Sequence, residues 1–211
     1  MSLPEQTRVA VIYYSATGGV HALAEAVAQG AEKEGAEVRL LHVAESVPDA
    51  IVSSNDQWSA HRRAVLDAGV PTPGLDDLEW ADAVVFGSPT RYGLPAAQLK
   101  AFLDSTGPLW AQGRLADKVY SSFTSSATAH GGQESTILAI NNAVYHFGGI
   151  IVPTGYTDPI IFSSTGNPYG SSFTSNNGAT PVTEAELEAA RFQGSRVARV
   201  ASDLKAGRLA A

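Results

Sequence analysis

Arg8-Val-Ala-Val-Ile-Tyr-Tyr-Ser-Ala-Thr-Gly-Gly-Val20 reads as a strand, a small polar loop and the start of a helix. The run through Tyr14 is apolar and rich in β-branched and aromatic residues, as a buried strand requires. It stops at Ser15. Val20, Leu23, Ala24, Val27 and Ala31 then recur at helical spacing. The first amides of such a helix have no intrahelical partner, and its dipole adds positive potential, so the loop can hold an anion. No Lys follows the glycines, which excludes the loop that cradles triphosphates. The three-glycine dinucleotide pattern is also missing. Hydroxyls of Ser15 and Thr17 and amides of Gly18, Gly19 and Val20 suit one terminal phosphate monoester, such as that of FMN. For this loop alone, an ordinary turn that binds nothing remains the alternative.

Composition narrows the classes. The chain has 211 residues, 44% of them hydrophobic, enough for a full core without disulfides or metal. It contains no cysteine, so thiol catalysis and thiolate metal sites are excluded, and a reducing cytoplasm is the expected location. Net charge is −7 and no Lys/Arg cluster occurs, which argues against nucleic-acid binding. No apolar run approaches the roughly 18 residues of a membrane span, and the opening Met-Ser-Leu-Pro-Glu-Gln is not a signal peptide. His21, His42 and His61 share no metal-ligand spacing and read as structural or surface residues, so no metal site is expected.

Strands and helices alternate along the chain. After the break at Gly35, residues 38–42 form a second strand, 83–87 a central third, 118–124 a fourth and 150–153 a fifth. A helix starts near Pro95 and buries Leu99, Phe102 and Leu103. Another spans 133–147 with Ile137, Ile140, Val144 and Phe147 on one stripe, closed by Gly148-Gly149. Thr183 and Glu186 form a capping box for a last helix. Residues 45–80 read as irregular, with helix somewhere in 57–68, and 155–181 as mostly loop. Residues 1–6 are expected to be disordered. With no repeat and no linker, residues 1–211 make a single α/β domain: a doubly wound five-stranded parallel sheet with helices on both faces.

Ligands of such sheets bind beyond the carboxyl ends of the strands. The loops there are Ser15-Ala-Thr-Gly-Gly19, Ser88-Pro-Thr-Arg-Tyr-Gly93 and Ser125-Ser-Ala-Thr-Ala-His-Gly-Gly132. All three are poor in carboxylates and rich in hydroxyls and small residues, which let backbone amides approach a planar ligand. Together they describe a flavin mononucleotide pocket.

The chain resembles the WrbA-type, flavodoxin-like NAD(P)H:quinone oxidoreductases (type IV). The resemblance rests on Tyr13-Tyr-Ser15, Gly87-Ser-Pro-Thr-Arg-Tyr-Gly93, Phe102-Leu-Asp-Ser-Thr-Gly107 with Leu109-Trp110, and His130-Gly-Gly-Gln-Glu134. His146-Phe-Gly148, Ile151-Val-Pro-Thr-Gly-Tyr156, Pro168-Tyr-Gly170 and Ala190-Arg-Phe-Gln-Gly194 follow in family order, over residues 8 to about 204. It implies strand order 2-1-3-4-5, FMN as cofactor, two-electron reduction of quinones by NADH or NADPH, and a homotetramer built as a dimer of dimers. Ser15, Ala16, Thr17, Gly18, Gly19 and Val20 would hold the phosphate. Pro89, Thr90, Arg91, Tyr92 and Gly93 would border the isoalloxazine. Ser125, Ser126, Ala127, Thr128, Ala129, His130 and Gly131 would wrap the ring and ribityl chain. Trp110 and His146 match the residues that wall the flavin pocket from neighbouring subunits. Thr17 departs from the aromatic residue that many members carry there to touch the nicotinamide nucleotide.

FMN would carry the hydride steps while the protein supplies position and electrostatics. Arg91 is the candidate contact for the pyrimidine edge of the flavin or the incoming nucleotide; a surface salt bridge is its alternative. His146 is the candidate proton donor to a quinone oxygen, with helix capping as its alternative. Trp110 would stack on or fence the substrate, or simply pack. One shared binding face predicts substituted-enzyme kinetics. The rival functions are an electron carrier of the flavodoxin kind and a regulatory flavoprotein.

Overall fold

A computed structural model describes residues 6–209. The disorder expected of residues 1–5 lies outside the described residues. Gln6 is among the described residues, and its side-chain amide donates to the Gly35 carbonyl at 2.8 Å.

The opening stretch forms strand β1 (Arg8–Tyr13) and helix α1 (Gly19–Lys33). Strands β2 (Glu37–His42), β3 (Ala83–Arg91), β5 (Val119–Ser126) and β6 (Ile150–Ile151) complete a parallel sheet in the order β2-β1-β3-β5-β6. This is the expected 2-1-3-4-5 arrangement, since β4 (Leu94–Pro95) is only a short antiparallel return on the end of β3. Period-2 alternation then sorts the core into two layers. Val9, Val11 and Tyr13 of β1 face α1 and the last helix, α9 (Glu184–Leu209). Ala10, Ile12 and Tyr14 face the opposite layer, which includes α5 (Ala97–Asp104) and α7 (Gln133–Phe147).

Three expectations need correction. The fifth strand is split: after β6 the chain leaves the sheet, forms α8 (Ile160–Ser163), and returns as β7 (Ser172–Thr174). β7 pairs with Thr124–Ser126, at the opposite end of β5 from the β6 pairing at Val119–Tyr120. The 155–181 segment is mostly loop, as expected, apart from these two short elements. Residues 45–80 are not irregular: they hold α2 (Asp49–Val52), α3 (Asp56–Asp67) and α4 (Leu75–Trp80). Asn55 caps α3 by accepting the Trp58 amide at 2.9 Å, and Pro48, Pro71 and Pro73 all fall outside the three helices. Finally, β3 runs to Arg91 because Tyr92 and Gly93, both at positive φ (55° and 79°), make a two-residue hairpin turn into β4.

The boundaries of α7 match expectation because Gly132 and Gly148 take left-handed conformations at its two ends. The capping box at Thr183 and Glu186 also forms, with Glu186 accepting the Thr183 amide at 2.7 Å. Where α1 crosses α9, Gly30 and Gly194 bring the two backbones into direct contact. No helix among the described residues is long and apolar enough to cross a membrane.

Candidate active site

The carboxyl ends of β1, β3 and β5 open onto a cleft of about 610 Å³. That volume is in the range of sites for cofactor-sized ligands. Its floor and walls contain Ser15, Ala16, Thr17, Gly19 and Val20 from the first loop, and Pro89, Thr90, Arg91 and Tyr92 from the second. Ser125, Ser126, Ala127, Thr128 and Gly131 come from the third. No carboxylate lines the cleft, and Arg91 is its one cation among the described residues.

The first loop is shaped for an anion. Gly18 is the N-cap of α1 in a left-handed conformation (φ 100°), and its amide donates to Ser15 Oγ at 3.1 Å. No side chain caps the helix, so its leading amides remain available to a ligand. A Cβ on Gly19 would lie 2.8 Å from the Phe173 ring, so only glycine fits between the loop and β7.

The second and third loops are clasped together by Thr90. Its hydroxyl donates to the Gly131 carbonyl (3.3 Å) and accepts from Thr136 Oγ1 (2.8 Å) and the Gly93 amide (3.1 Å). Gly132 allows the approach, since a Cβ there would lie 2.8 Å from Gly93 Cα. Buried Gln133 secures the rest: its amide nitrogen lies 2.8 Å from Ser126 Oγ, 2.9 Å from Thr174 Oγ1 and 3.2 Å from the Phe173 carbonyl. The Gly-Gly-Gln part of the His130–Glu134 motif thus ties the third loop to β3 and β7.

Not every expected residue lines this cleft. Gly18 and Gly93 shape the turns behind it, and Ala129 and His130 sit at the exposed tip of the third loop. Trp110 and His146 line a second, largely apolar groove of about 910 Å³, together with Leu94, Lys100, Phe147 and the edge of Arg91. Arg91 is the residue shared by the two. Trp110 is half exposed, and its indole N–H donates to the His146 carbonyl at 2.8 Å, which fixes the pair.

Conversely, Asn55, Gln57, Ser175, Asn177 and Gly178 line the cleft without having been expected there. Their only sequence signal was the run Asn176-Asn177-Gly178, whose three residues all take positive φ.

Glu45, just after β2, gathers a set of donors that includes Trp58 and Gln98 of the groove. It accepts hydrogen bonds from Tyr14 (2.6 Å), Trp58 Nε1 (2.9 Å), Gln98 and the Ser46 and Val47 amides. Burial alone would raise its carboxyl, but these donors outweigh burial and hold it below the usual range. The Tyr14 hydroxyl, buried and bonded to that carboxylate, is pushed up and stays protonated.

Known proteins share this architecture and sequence. Residues 7–158 match the family of NADPH-dependent FMN reductases. A protein of Deinococcus radiodurans called NAD(P)H dehydrogenase (quinone) is 41% identical over 197 residues, covering 93% of this chain and 96% of its own. A protein of the same name from Syntrophus aciditrophicus is 45% identical over 207 residues, covering 93% and 98%. The crystal structure of the flavodoxin, WrbA-like protein from Agrobacterium tumefaciens superposes with a TM-score of 0.66 at 28% identity, over 94% of this chain and 99% of that one. An archaeal flavodoxin, at 18% identity and a TM-score of 0.61, shares the fold. The chain therefore belongs to the NADPH-dependent FMN reductase family, in its branch of WrbA-like NAD(P)H dehydrogenases (quinone).

Proposed function

We infer that this protein binds FMN in the first cleft and reduces quinones to hydroquinones with NADH or NADPH. The observation that carries the reading is the cleft itself: free of carboxylates, lined by hydroxyls and amides, and built on the carboxyl ends of β1, β3 and β5. The bound flavin supplies hydride acceptance and donation. Ser15, Ala16, Thr17, Gly18, Gly19 and Val20 hold its phosphate through amides and hydroxyls. Pro89 to Gly93 border one edge of the ring, and Ser125 to Gly131 wrap the other, locked together by Thr90. Arg91 stands at the mouth, where its charge stabilises negative charge on the ring edge or orients the nucleotide.

In this reading Trp110 and His146 act in a neighbouring copy of the chain. They stand in the second groove rather than over the first cleft of their own subunit. A homotetramer brings a Trp110 wall and a His146 proton donor over each flavin. Exclusion of water by that wall keeps hydride for the quinone. A location in the cytoplasm fits the absence of cysteine.

The direct test is NADH oxidation by FMN-loaded protein, with and without 1,4-benzoquinone, against free FMN. Fast oxidation is expected only when protein and quinone are both present, with parallel double-reciprocal lines. Bound FMN without turnover by either nucleotide would move the protein to the electron carriers. Sizing at low and high protein concentration tests the shared pocket. Dimers and tetramers are expected, and Trp110→Ala is expected to raise the quinone KM severalfold while leaving FMN affinity within about twofold. A strict monomer at both concentrations would end that part of the reading.

A further inference from the structure

Behind the first loop stands a layer of side chains with no role so far. Three of the five histidines meet there: His21 from the first turn of α1, His42 from the end of β2 and His61 from α3. Ring centroids lie 5.2 Å apart for His21 and His61, and 6.1 Å for His42 and His61. Tyr13 packs 5.5 Å from His21 and 5.1 Å from His42.

The cluster touches the loop directly. His42 Nε2 lies 3.2 Å from the Ser15 amide nitrogen and 3.3 Å from the Ser15 carbonyl oxygen. The deprotonated nitrogen can accept from that amide, and the protonated one can donate to that carbonyl. The His61 ring packs against Gly18: a Cβ there would lie 3.5 Å from its Nδ1. His61 Nε2 is buried and finds no hydrogen-bond partner among the described residues. An orphaned ring nitrogen beneath an anion loop is costly unless it serves a purpose.

Burial disfavours the charged form of both inner imidazoles in the protein alone. Burial, helped by His21 and His42, pulls His61 down to about 4. Burial also lowers His42, against the opposing pull of the Ser15 backbone. The phosphate loop contains no Lys or Arg, and Arg91 belongs to the end of β3.

We propose that the His21–His42–His61 cluster is the counter-charge of the phosphate loop: FMN binds together with a proton, which the cluster takes from solvent and keeps while the phosphate is bound. This rests on the reading of Ser15–Val20 as the phosphate site. The step moves one proton from water to a ring nitrogen and forms no covalent bond to the phosphate. A dianion beside the loop favours the charged imidazole, as any nearby opposite charge does. The proton also settles the polarity of the Ser15 peptide, since a charged His42 donates to its carbonyl.

The surrounding groups can accommodate that charge. Glu25 of α1 lies 3.4 Å from His21 Nε2. Glu45, after β2, acts on His42 electrostatically, with its oxygens already engaged by Tyr14, Trp58 and Gln98. Tyr13, the last residue of β1, and Tyr14 after it are raised by burial and contribute no charge. On α3, Arg62 next to His61 is paired with Asp49 at 2.6 Å. Arg91 reaches this region only through its field on Tyr14.

The sign follows from linkage. The complex carries more protons than the separated partners, so affinity rises as pH falls, by up to about tenfold per pH unit for one proton. The gain ends near pH 6, where the free phosphate itself takes up a proton.

The test is calorimetric titration of FMN into the apoprotein at pH 7.5 in two phosphate-free buffers of different ionisation enthalpy. Uptake of about half a proton or more per FMN is expected, with Kd weakening about fivefold from pH 6.5 to 8. His61→Gln and His42→Gln are expected to flatten that profile, and riboflavin, which lacks the phosphate, to bind more weakly with no uptake. FMN binding that needs the phosphate but takes up no proton in the unmutated protein would overturn the proposal alone. Riboflavin binding as tightly as FMN would instead overturn the phosphate-site reading, and the proposal with it.

Discussion

Gly194→Val is expected to cost about 3 kcal/mol of stability and to lower Tm by about 6–12 °C. A Cβ at Gly194 would overlap the Val27 carbonyl of α1, and a Cβ at Gly30 would overlap the Arg191 carbonyl of α9. These obstacles are backbone atoms, so no side chain can swing aside. The helices must separate, and the layer of Val27, Ala31, Ala190, Val197 and Ala198 beneath them loosens. Replacing a helical glycine regains up to about 1 kcal/mol of propensity, too little to offset that separation. Gly207→Ala supplies the control. It lies on the same helix with nothing within 4 Å of its would-be Cβ, so that change is expected to be neutral or stabilising by up to about 1 kcal/mol. Thermal denaturation of both variants decides the matter. An unchanged Tm for Gly194→Val would mean that α1 and α9 do not meet backbone to backbone.

The largest functional effect is expected from Gly18→Val. Gly18 has φ 100° at the N-cap of α1, a conformation that an L side chain, and above all a β-branched one, adopts only under strain. Strain of about 2 kcal/mol is relieved if the loop turns over, which withdraws the amides of Gly18 and Gly19 from the cleft. FMN affinity is then expected to fall about thirtyfold. Gly35→Ala separates strain from site. Gly35 also has positive φ (81°), with nothing within 4 Å of its would-be Cβ, and lies far along the chain from the loop. Both variants are expected to lose stability, and only Gly18→Val to lose FMN, measured by quenching of flavin fluorescence. Equal FMN affinity in the two would separate Gly18 from the phosphate.

What could be read from the chain depended on where the physical cause lies. β1, its loop and α1 were legible because an apolar run, a polar break and a 3.6-residue period are local properties. The ends of α7 were legible because Gly132 and Gly148 mark them in one dimension. β7 was not: Ser172-Phe-Thr174 lacks a strand pattern, and the free edge of β5 imposes its pairing. Helices α2 to α4 were obscured by Pro48, Pro71 and Pro73, although Asn55 before α3 was a usable cap signal. The cleft's loops were visible as unusual sequence, while Asn55, Gln57 and Asn177 reach it only through tertiary folding. His21, His42 and His61 lack metal spacing and read as structural or surface residues, with no local signal that they meet. They meet because β1 and β2 are parallel neighbours, with Tyr13 paired to His42, and α1 begins just beyond.

The split fifth strand bears on how firmly the walls of the cleft are held. The β7 strand holds the cleft wall of Ser175, Asn177 and Gly178, yet pairs with β5 over only three residues. It is joined to β6 by a long excursion rather than by continuous strand. Peeling β7 from the edge would break that ladder, the contacts of Gln133 and the burial of Phe173, and leave the pairing of β2-β1-β3-β5-β6 intact. Local opening of this kind costs far less than unfolding the domain. The Ser175–Gly178 wall of the cleft therefore rests on a short edge ladder and one buried ring, while the other walls rest on the long strands of the sheet.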